Sequence, residues 1–94
     1  MANYVARIEL HNATYDDYET LHAAAARRGF LRVIASHNGQ KYQLPTGTYV
    51  AEKTTATLEQ AYDAAQAAAA DTRKAFWVVV ADWGSAKFAL QQAA

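Results

Sequence analysis

The chain has 94 residues, nine basic and nine acidic side chains, and no cysteine. This length accommodates a single domain, 1–94, with one hydrophobic core. The balanced charge excludes a strong overall attraction to nucleic acid or anionic lipid, and the lack of cysteine excludes disulfides, zinc–thiolate sites and thiol catalysis. We expect a cytoplasmic protein without a membrane partner, because the N-terminal residues lack a signal-peptide pattern and the longest apolar run, Ala75–Ala81, is too short to cross a bilayer.

The first third of the chain predicts a strand, a helix and a second strand. Tyr4–Leu10 alternates between apolar and polar residues, which is typical of a strand with one buried face. Thr14 begins a helix, with Asp17 three residues later in a capping-box pattern, and Gly29 is the expected C-terminal stop. Phe30–Ser36 is the second strand. The predicted buried stripe of the helix consists of Tyr15, Tyr18, Leu21, His22 and Ala25.

A hairpin follows the second strand. Asn38-Gly39 is a strong short-range hairpin signal, and Gln40–Leu44 returns as the third strand. Pro45-Thr46-Gly47 interrupts that strand, because proline cannot donate to a ladder and glycine marks a bend. The strand then resumes at Thr48–Lys53, and we expect the break to turn the hairpin tip away from the main sheet.

The last third predicts a helix, a strand and a short final helix. Thr57 and Gln60 form a capping box, and the helix continues to about Thr72 with an inward stripe that includes Leu58 and Tyr62. Lys74–Trp83 is the fourth strand, and its continuous apolar run suggests that both of its faces are partly covered. The segment from residue 86 to residue 92 reads as a short C-terminal helix.

This order of elements predicts an α+β fold of the ferredoxin-like type, βαββαβ. Its expected layout is a four-stranded antiparallel sheet with two helices on one face, followed by the short C-terminal helix. We assign Tyr4, Ile8, Leu31, Val33, Val79 and Ala81 to the helix-facing side. The residues expected on the opposite, open face are Val5, Arg7, Glu9, Phe30, Arg32, Ile34, Phe76, Val78 and Val80.

Several of these open-face residues are large and apolar, so we expect something to cover them. The candidates are the C-terminal segment, a second copy of the chain, or a ligand. We favour a homodimer formed through the open sheet face or through the C-terminal segment.

Arg7, Glu9 and Arg32 are the first candidate functional group. Two guanidinium groups beside a carboxylate can bind a phosphate and transfer a proton, with Arg7 and Arg32 as phosphate ligands. His11 directly follows the first strand, so Glu9 or His11 is the candidate catalytic base. A cross-strand ion pair that flanks a dimer interface explains the same three residues structurally.

A second candidate is a basic edge for RNA phosphates that includes Arg28. The alternative is that these cations lie in solvent at helix ends, where the dipole favours them. The three histidines are scattered at His11, His22 and His37 and show no metal-ligand spacing, so we predict neither a metal nor a cofactor. His22 is expected to be half-buried. The cations of the proposed edge are Arg27, Arg28, Arg32, Arg73 and Lys74.

The segment from Asn38 to Tyr49, together with the layout, resembles the small ferredoxin-like antitoxin family typified by GhoS. Further points of likeness are the Asn-Tyr-Val opening of the first strand and the threonine-rich entry to the second helix. GhoS is an endoribonuclease that acts on a toxin's messenger and is similar in fold to the small CRISPR-adaptation nuclease. The resemblance implies a homodimer and RNA contact, with Glu9 as an approximate match to the acidic residue at the end of strand one in the adaptation nucleases.

Three functions therefore remain open at this point. The first is a small cytoplasmic dimeric binding or regulatory protein, antitoxin-like in its action. The second is a metal-independent endoribonuclease of the GhoS type, which needs a solvent-open basic groove around Arg7 and Arg32. The third is a small-molecule-binding ferredoxin-like dimer, which needs a cavity lined by Tyr15, Tyr18 and Tyr62 and is supported only by analogy of fold.

Overall fold

The structure is a computed structural model that describes residues 1–36, 38–84 and 87–93. Two helices and antiparallel strands alternate along the chain in the predicted order. The third predicted strand is interrupted around Pro45–Gly47, as predicted, so five strands are present in the described residues. The elements are β1 (Ala2–Leu10), α1 (Tyr15–Arg27), β2 (Val33–Ala35), β3 (Lys41–Gln43), β4 (Thr48–Thr54), α2 (Leu58–Ala70) and β5 (Phe76–Asp82).

The strands form two sheets, so the prediction of one four-stranded sheet is wrong. β1 lies between β4 and β5 in a three-stranded antiparallel sheet, and β2 pairs with β3 in a separate antiparallel hairpin. Leu31 and Val50 still exchange two backbone hydrogen bonds, of 2.8 and 2.9 Å, just before β2 begins. Beyond that bridge the chain departs from β4, because Pro45 cannot donate to a ladder and a turn closes from Thr48 N–H to the Pro45 carbonyl. The hairpin therefore continues as its own sheet.

Both helices begin at the predicted caps. The Thr14 hydroxyl accepts from the Asp17 backbone N–H, and the Asp17 carboxylate accepts from the Thr14 N–H at 2.8 Å. This backbone hydrogen bond lowers the pKa of Asp17, and Lys74 lowers it further. Thr57 and Gln60 form the same reciprocal pair at the start of α2. The two capping boxes satisfy N–H groups that the helices cannot bond internally.

The main core lies between the helices and one face of β1. Tyr4, Ala6, Ile8 and Leu10 alternate inward as predicted and are buried. Leu21 of α1 packs there together with the small alanines of both helices, which allow the helices to lie close to the sheet. Three residues of the predicted buried stripes are exposed instead, so these predictions are wrong: Tyr15 on α1, and Leu58 and Tyr62 on α2. The buried alanines of this core are Ala24, Ala25, Ala61, Ala65, Ala68 and Ala69.

The predicted orientation of β5 is wrong by one residue. Phe76, Val78 and Val80 pack against the main core, whereas Trp77 and Val79 point to the open face and are 69% and 65% exposed. A continuous apolar run carries no alternation, so its inward face is fixed by pairing with β1 rather than by the local pattern.

Two other residues near β2 also differ from the predicted faces. Phe30 is buried in the main core, not on the open face. Leu31 was assigned to the helix side but is 54% exposed.

A second, smaller core covers part of the open face. Ile34, Leu44 and Val50 are buried there. The C-terminal residues 87–93 are not helical as predicted; they run along β3, with hydrogen bonds of 3.0 Å from Gln43 N–H to the Gln91 carbonyl and from Ala93 N–H to the Lys41 carbonyl. Residues 85 and 86, where the predicted helix starts, lie outside the described residues. The partly buried side chains on this cluster are Val5, Tyr42, Trp83 and Leu90.

No helix among the described residues is long and apolar enough to cross a membrane.

Candidate functional site

The open face carries a shallow depression between β1 and β5. Its lining residues are Arg7 and Glu9 from β1 and Trp77 and Val79 from β5, and its volume is about 170 Å³. The antiparallel register explains this grouping, because Arg7 lies directly opposite Val79 and Glu9 directly opposite Trp77. The C-terminal segment covers the neighbouring part of the face over Val5, so the depression is the part that stays open.

His11 lies beside the depression, directly after β1, where it contacts two of the lining residues. Its Nε2 atom lies 3.9 Å from a Glu9 carboxylate oxygen, and both side chains are partly exposed. The His11 ring meets the Trp77 indole edge to face, with 4.6 Å between ring centroids. A backbone hydrogen bond of 2.8 Å from His11 N–H to the Ala75 carbonyl extends the β1–β5 ladder and fixes this position. The structure thus brings both candidate bases, Glu9 and His11, to one place.

Gly47 positions the Arg7 side chain. The Arg7 guanidinium donates to the Ile8 carbonyl at 2.9 Å, and the Ile8 N–H donates to the Gly47 carbonyl at 2.7 Å. Gly47 has φ +85°, and a Cβ atom there would collide with the Ile8 carbonyl and the Arg7 guanidinium. Only glycine provides both this conformation and this space. The rest of the guanidinium remains available to an anion on the open face.

Arg32 lies near α1 and not among the residues that line the depression. It is half-buried, and its charge lowers the pKa of His22 on α1, although burial lowers that pKa more. Burial raises the pKa of Tyr49, and Arg32 and Arg7 both oppose that increase. The two arginines therefore act electrostatically on the same buried hydroxyl, while Arg7 alone of the pair lines the depression.

The predicted basic edge contains cations that already have acidic partners. Arg28 lies 3.1 Å from the Asp71 carboxylate and donates to the Ala24 carbonyl at 2.9 Å, and Arg27 lies 3.7 Å from the same carboxylate. Lys74 lies 3.6 Å from Asp17. These pairs tie α1 to the end of α2 and to the segment that follows it.

A hydrogen bond between His22 and Tyr49 connects α1 to β4. The Tyr49 hydroxyl lies 2.6 Å from His22 Nδ1, and Tyr49 is completely buried. Because burial raises the pKa of Tyr49, the hydroxyl keeps its proton, and it donates a hydrogen bond to Nδ1 in the tautomer of His22 that carries its proton on Nε2. His22 is half-buried, as predicted.

Sequence reasoning missed Trp77 as a residue of this site. The predicted orientation of β5 put it on the helix side by default. No local signal marks Trp77, because every residue from Phe76 to Val80 is apolar and the run has no alternation to show which side chains face outward.

Within residues 1–36, 38–84 and 87–93 no group of three or more histidine, aspartate or glutamate side chains could hold a metal ion. His37 lies outside the described residues. No protein-family model and no curated protein match the chain.

Proposed function

We propose that this chain is a small RNA-binding regulatory protein of the antitoxin type, acting in the cytoplasm as a homodimer, with single-stranded RNA bound at the Arg7–Trp77 depression. The observation that carries the proposal is an indole that is 69% exposed and that lines the same depression as a guanidinium. The resemblance to GhoS-type antitoxins supports the same class of partner.

Single-stranded RNA suits this pair of side chains. An exposed indole offers a stacking surface to any base, and a guanidinium binds the adjacent phosphate through two parallel hydrogen bonds. Val79 extends the apolar surface beside Trp77. The overall charge of the chain is zero, so binding depends on this local arrangement rather than on a general attraction to phosphates.

Fluorescence anisotropy of a labelled single-stranded RNA tests the proposal. Trp77→Ala should weaken binding roughly five- to 150-fold, the range expected for one lost base–aromatic stack. Arg7→Ala should weaken binding and reduce its salt dependence. Tyr15→Ala and Lys41→Ala are matched controls, because both residues are exposed and neither lines the depression. Equal affinities for the site variants and the controls would refute the assignment of this face.

The intrinsic fluorescence of Trp77 gives a second readout. The chain has two tryptophans, and Trp83 lies half-buried on the smaller core. A Trp83→Phe variant leaves Trp77 as the sole indole, and RNA should quench its emission. Unchanged emission at a saturating RNA concentration would contradict stacking on Trp77.

A metal-independent endoribonuclease is the second candidate, and the pairing of Glu9 with His11 favours it specifically. A neutral His11 would remove the proton of a ribose 2′-hydroxyl, whose oxygen attacks the neighbouring phosphorus and displaces the 5′-oxygen of the next nucleotide. The departing 5′-oxygen takes a proton from water, and His11 releases its proton to solvent, so the products are a 2′,3′-cyclic phosphate and a 5′-hydroxyl end. Arg7 would neutralise charge on the phosphate, and Glu9 would orient the imidazole.

Cleavage assays in EDTA separate the two candidates. In the nuclease case His11→Ala abolishes cleavage while RNA binding persists, and a substrate with a 2′-deoxy nucleotide at the cleavage position stays intact. Glu9→Gln should lower the rate and change its dependence on pH. RNA binding without cleavage by the unmodified chain would leave the regulatory binding protein as the function.

A further inference from the structure

The free edge of β5 lacks the features that usually protect a sheet edge. β5 has seven residues, pairs regularly with β1, and contains no lysine, proline or glycine. It is also apolar on both faces from Phe76 to Val80. Natural proteins avoid long, flat, apolar edges because such edges pair with other chains.

The opposite edge of the same sheet is protected, and the contrast is informative. Exposed Glu52 and Lys53 lie near the end of β4, and the register of β4 with β1 shifts there. Lys53 has φ +54°, so the backbone leaves the regular strand conformation at this end. Leu31 also covers part of β4 through its bridge to Val50. Only the β5 edge of this sheet, in the described part of the chain, is ready for a further strand.

The backbone groups on that edge can be identified from the register. Two hydrogen bonds that flank the β1–β5 ladder show which residues of β5 bond to β1. Trp83 N–H donates to the Asn3 carbonyl, and His11 N–H donates to the Ala75 carbonyl, both at 2.8 Å. Since hydrogen-bonded pairs alternate along an antiparallel ladder, the odd-numbered residues of β5 are the ones that bond to β1. In an antiparallel ladder the alternate residues direct their N–H and C=O groups to the other side. Phe76, Val78 and Val80 therefore present their backbone groups to the free edge.

We propose that β5 pairs antiparallel with β5 of a second copy of this chain, with the two-fold axis at Val78. This inference rests on the proposed homodimer but not on RNA binding, and it gives the dimer an interface at the sheet edge. Phe76 then pairs with Val80 of the second copy, and Trp77 lies beside Val79 of the second copy. Both pairs bring apolar side chains into contact, and the exposed side chains of Trp77 and Val79 become partly covered.

Charge complementarity selects this register. Lys74 precedes β5 and lies 3.6 Å from Asp17 of its own chain. Centred at Val78, the pairing brings this ammonium group towards Asp82 of the second copy, so that each end of the interface carries opposite charges. If the pairing were centred at Val79 instead, the carboxylate of Asp82 would lie opposite the apolar side chain of Phe76, which is an unfavourable pair. The chosen register also joins the two open faces, so that both Arg7–Trp77 depressions lie on one continuous surface.

A charge-swap mixing experiment tests the interface. Asp82→Lys and Lys74→Asp each place like charges at both ends, so each variant alone should dimerise roughly tenfold more weakly in analytical ultracentrifugation. Lys74→Asp also removes the contact with Asp17, so circular dichroism first establishes that this variant is folded. An equimolar mixture restores opposite charges at both ends and should form a heterodimer of about the original affinity. Asp63→Lys is the matched control, since this exposed acid lies on α2 and should leave dimerisation unchanged. Variants that remain monomeric when mixed would overturn the proposed register.

Amide hydrogen exchange of the unmodified chain locates the interface without any substitution. The N–H groups of Phe76, Val78 and Val80 should gain protection as protein concentration rises, whereas those of Trp77 and Val79 should be protected throughout by β1. A dimer in which these even-numbered amides stay unprotected would place the interface elsewhere, and a chain that stays monomeric at high concentration would refute the dimer itself. RNA binding is measured separately by anisotropy, so the failure of either proposal can be distinguished from the failure of the other.

Discussion

Tyr49→Phe should destabilise the protein and alter its response to pH. The substitution removes a hydroxyl that is completely buried and lies 2.6 Å from His22 Nδ1, and it leaves that nitrogen without its partner. Loss of a hydrogen bond costs about 0.5–1.5 kcal/mol when, as at the half-buried His22, the remaining partner is not fully shielded from water. We expect a loss of about 1 kcal/mol, a measurable part of the ~5–10 kcal/mol typical of a domain of this size.

The pH dependence follows from His22. Burial and Arg32 lower the pKa of His22 in the folded state, so the unfolded chain binds the proton more readily. Stability is therefore complete above the unfolded pKa of about 6.5 and decreases as pH falls below it towards the folded pKa. His22→Gln should flatten this dependence between about pH 7.5 and pH 5.

Urea unfolding followed by circular dichroism at pH 7.5 and pH 5.5 measures both effects. Tyr62→Phe is the matched control, because its ring is on the partly exposed side of α2 and loss of its hydroxyl should change stability by less than about 0.5 kcal/mol. If Tyr49→Phe were as stable as Tyr62→Phe, the hydrogen bond would not contribute as argued. An undiminished pH slope in His22→Gln would assign the titration to another group.

Three further substitutions test the fold. Gly47→Ala should cost about 1–3 kcal/mol in thermal unfolding, because it combines a positive φ with a collision at the Ile8 carbonyl, and Gly39→Ala is a control with positive φ and open space. Leu90→Ala should cost about 1–2 kcal/mol in the free energy of unfolding and change Trp83 fluorescence, because Leu90 and Trp83 both pack on the smaller core. If neither quantity changed, residues 87–93 would not be part of that core. Thr57→Ala should cost about 1 kcal/mol through loss of the α2 cap, and Thr57→Ser should restore it.

The sequence predicted the features that depend on local chemistry. Caps at Thr14 and Thr57, the alternation of β1 and the break at Pro45–Gly47 follow from nearby residues, and all are confirmed. The orientation of β5 could not be predicted in this way, since every residue from Phe76 to Val80 is apolar and the pairing with β1 decides which ones turn inward.

The C-terminal segment shows how tertiary pairing overrides local propensity. Its alanine, lysine and glutamine residues favour a helix. The N–H of Gln43 and the carbonyl of Lys41 on β3 hold it in a non-helical conformation through two backbone hydrogen bonds instead. Of the candidate site, Glu9 and Arg7 share a face by alternation alone, whereas the contribution of Trp77 depended on the orientation of β5.

The central position of β1 has a consequence for the kinetics of folding. Its neighbours in the sheet come from far along the chain, with Val5 opposite Val50 on one side and Ala81 on the other. Each pairing closes a long loop before it gains any contact, and folding slows as such separations grow. We therefore expect refolding in milliseconds to seconds rather than microseconds, with the centre of the sheet as the step that limits the rate.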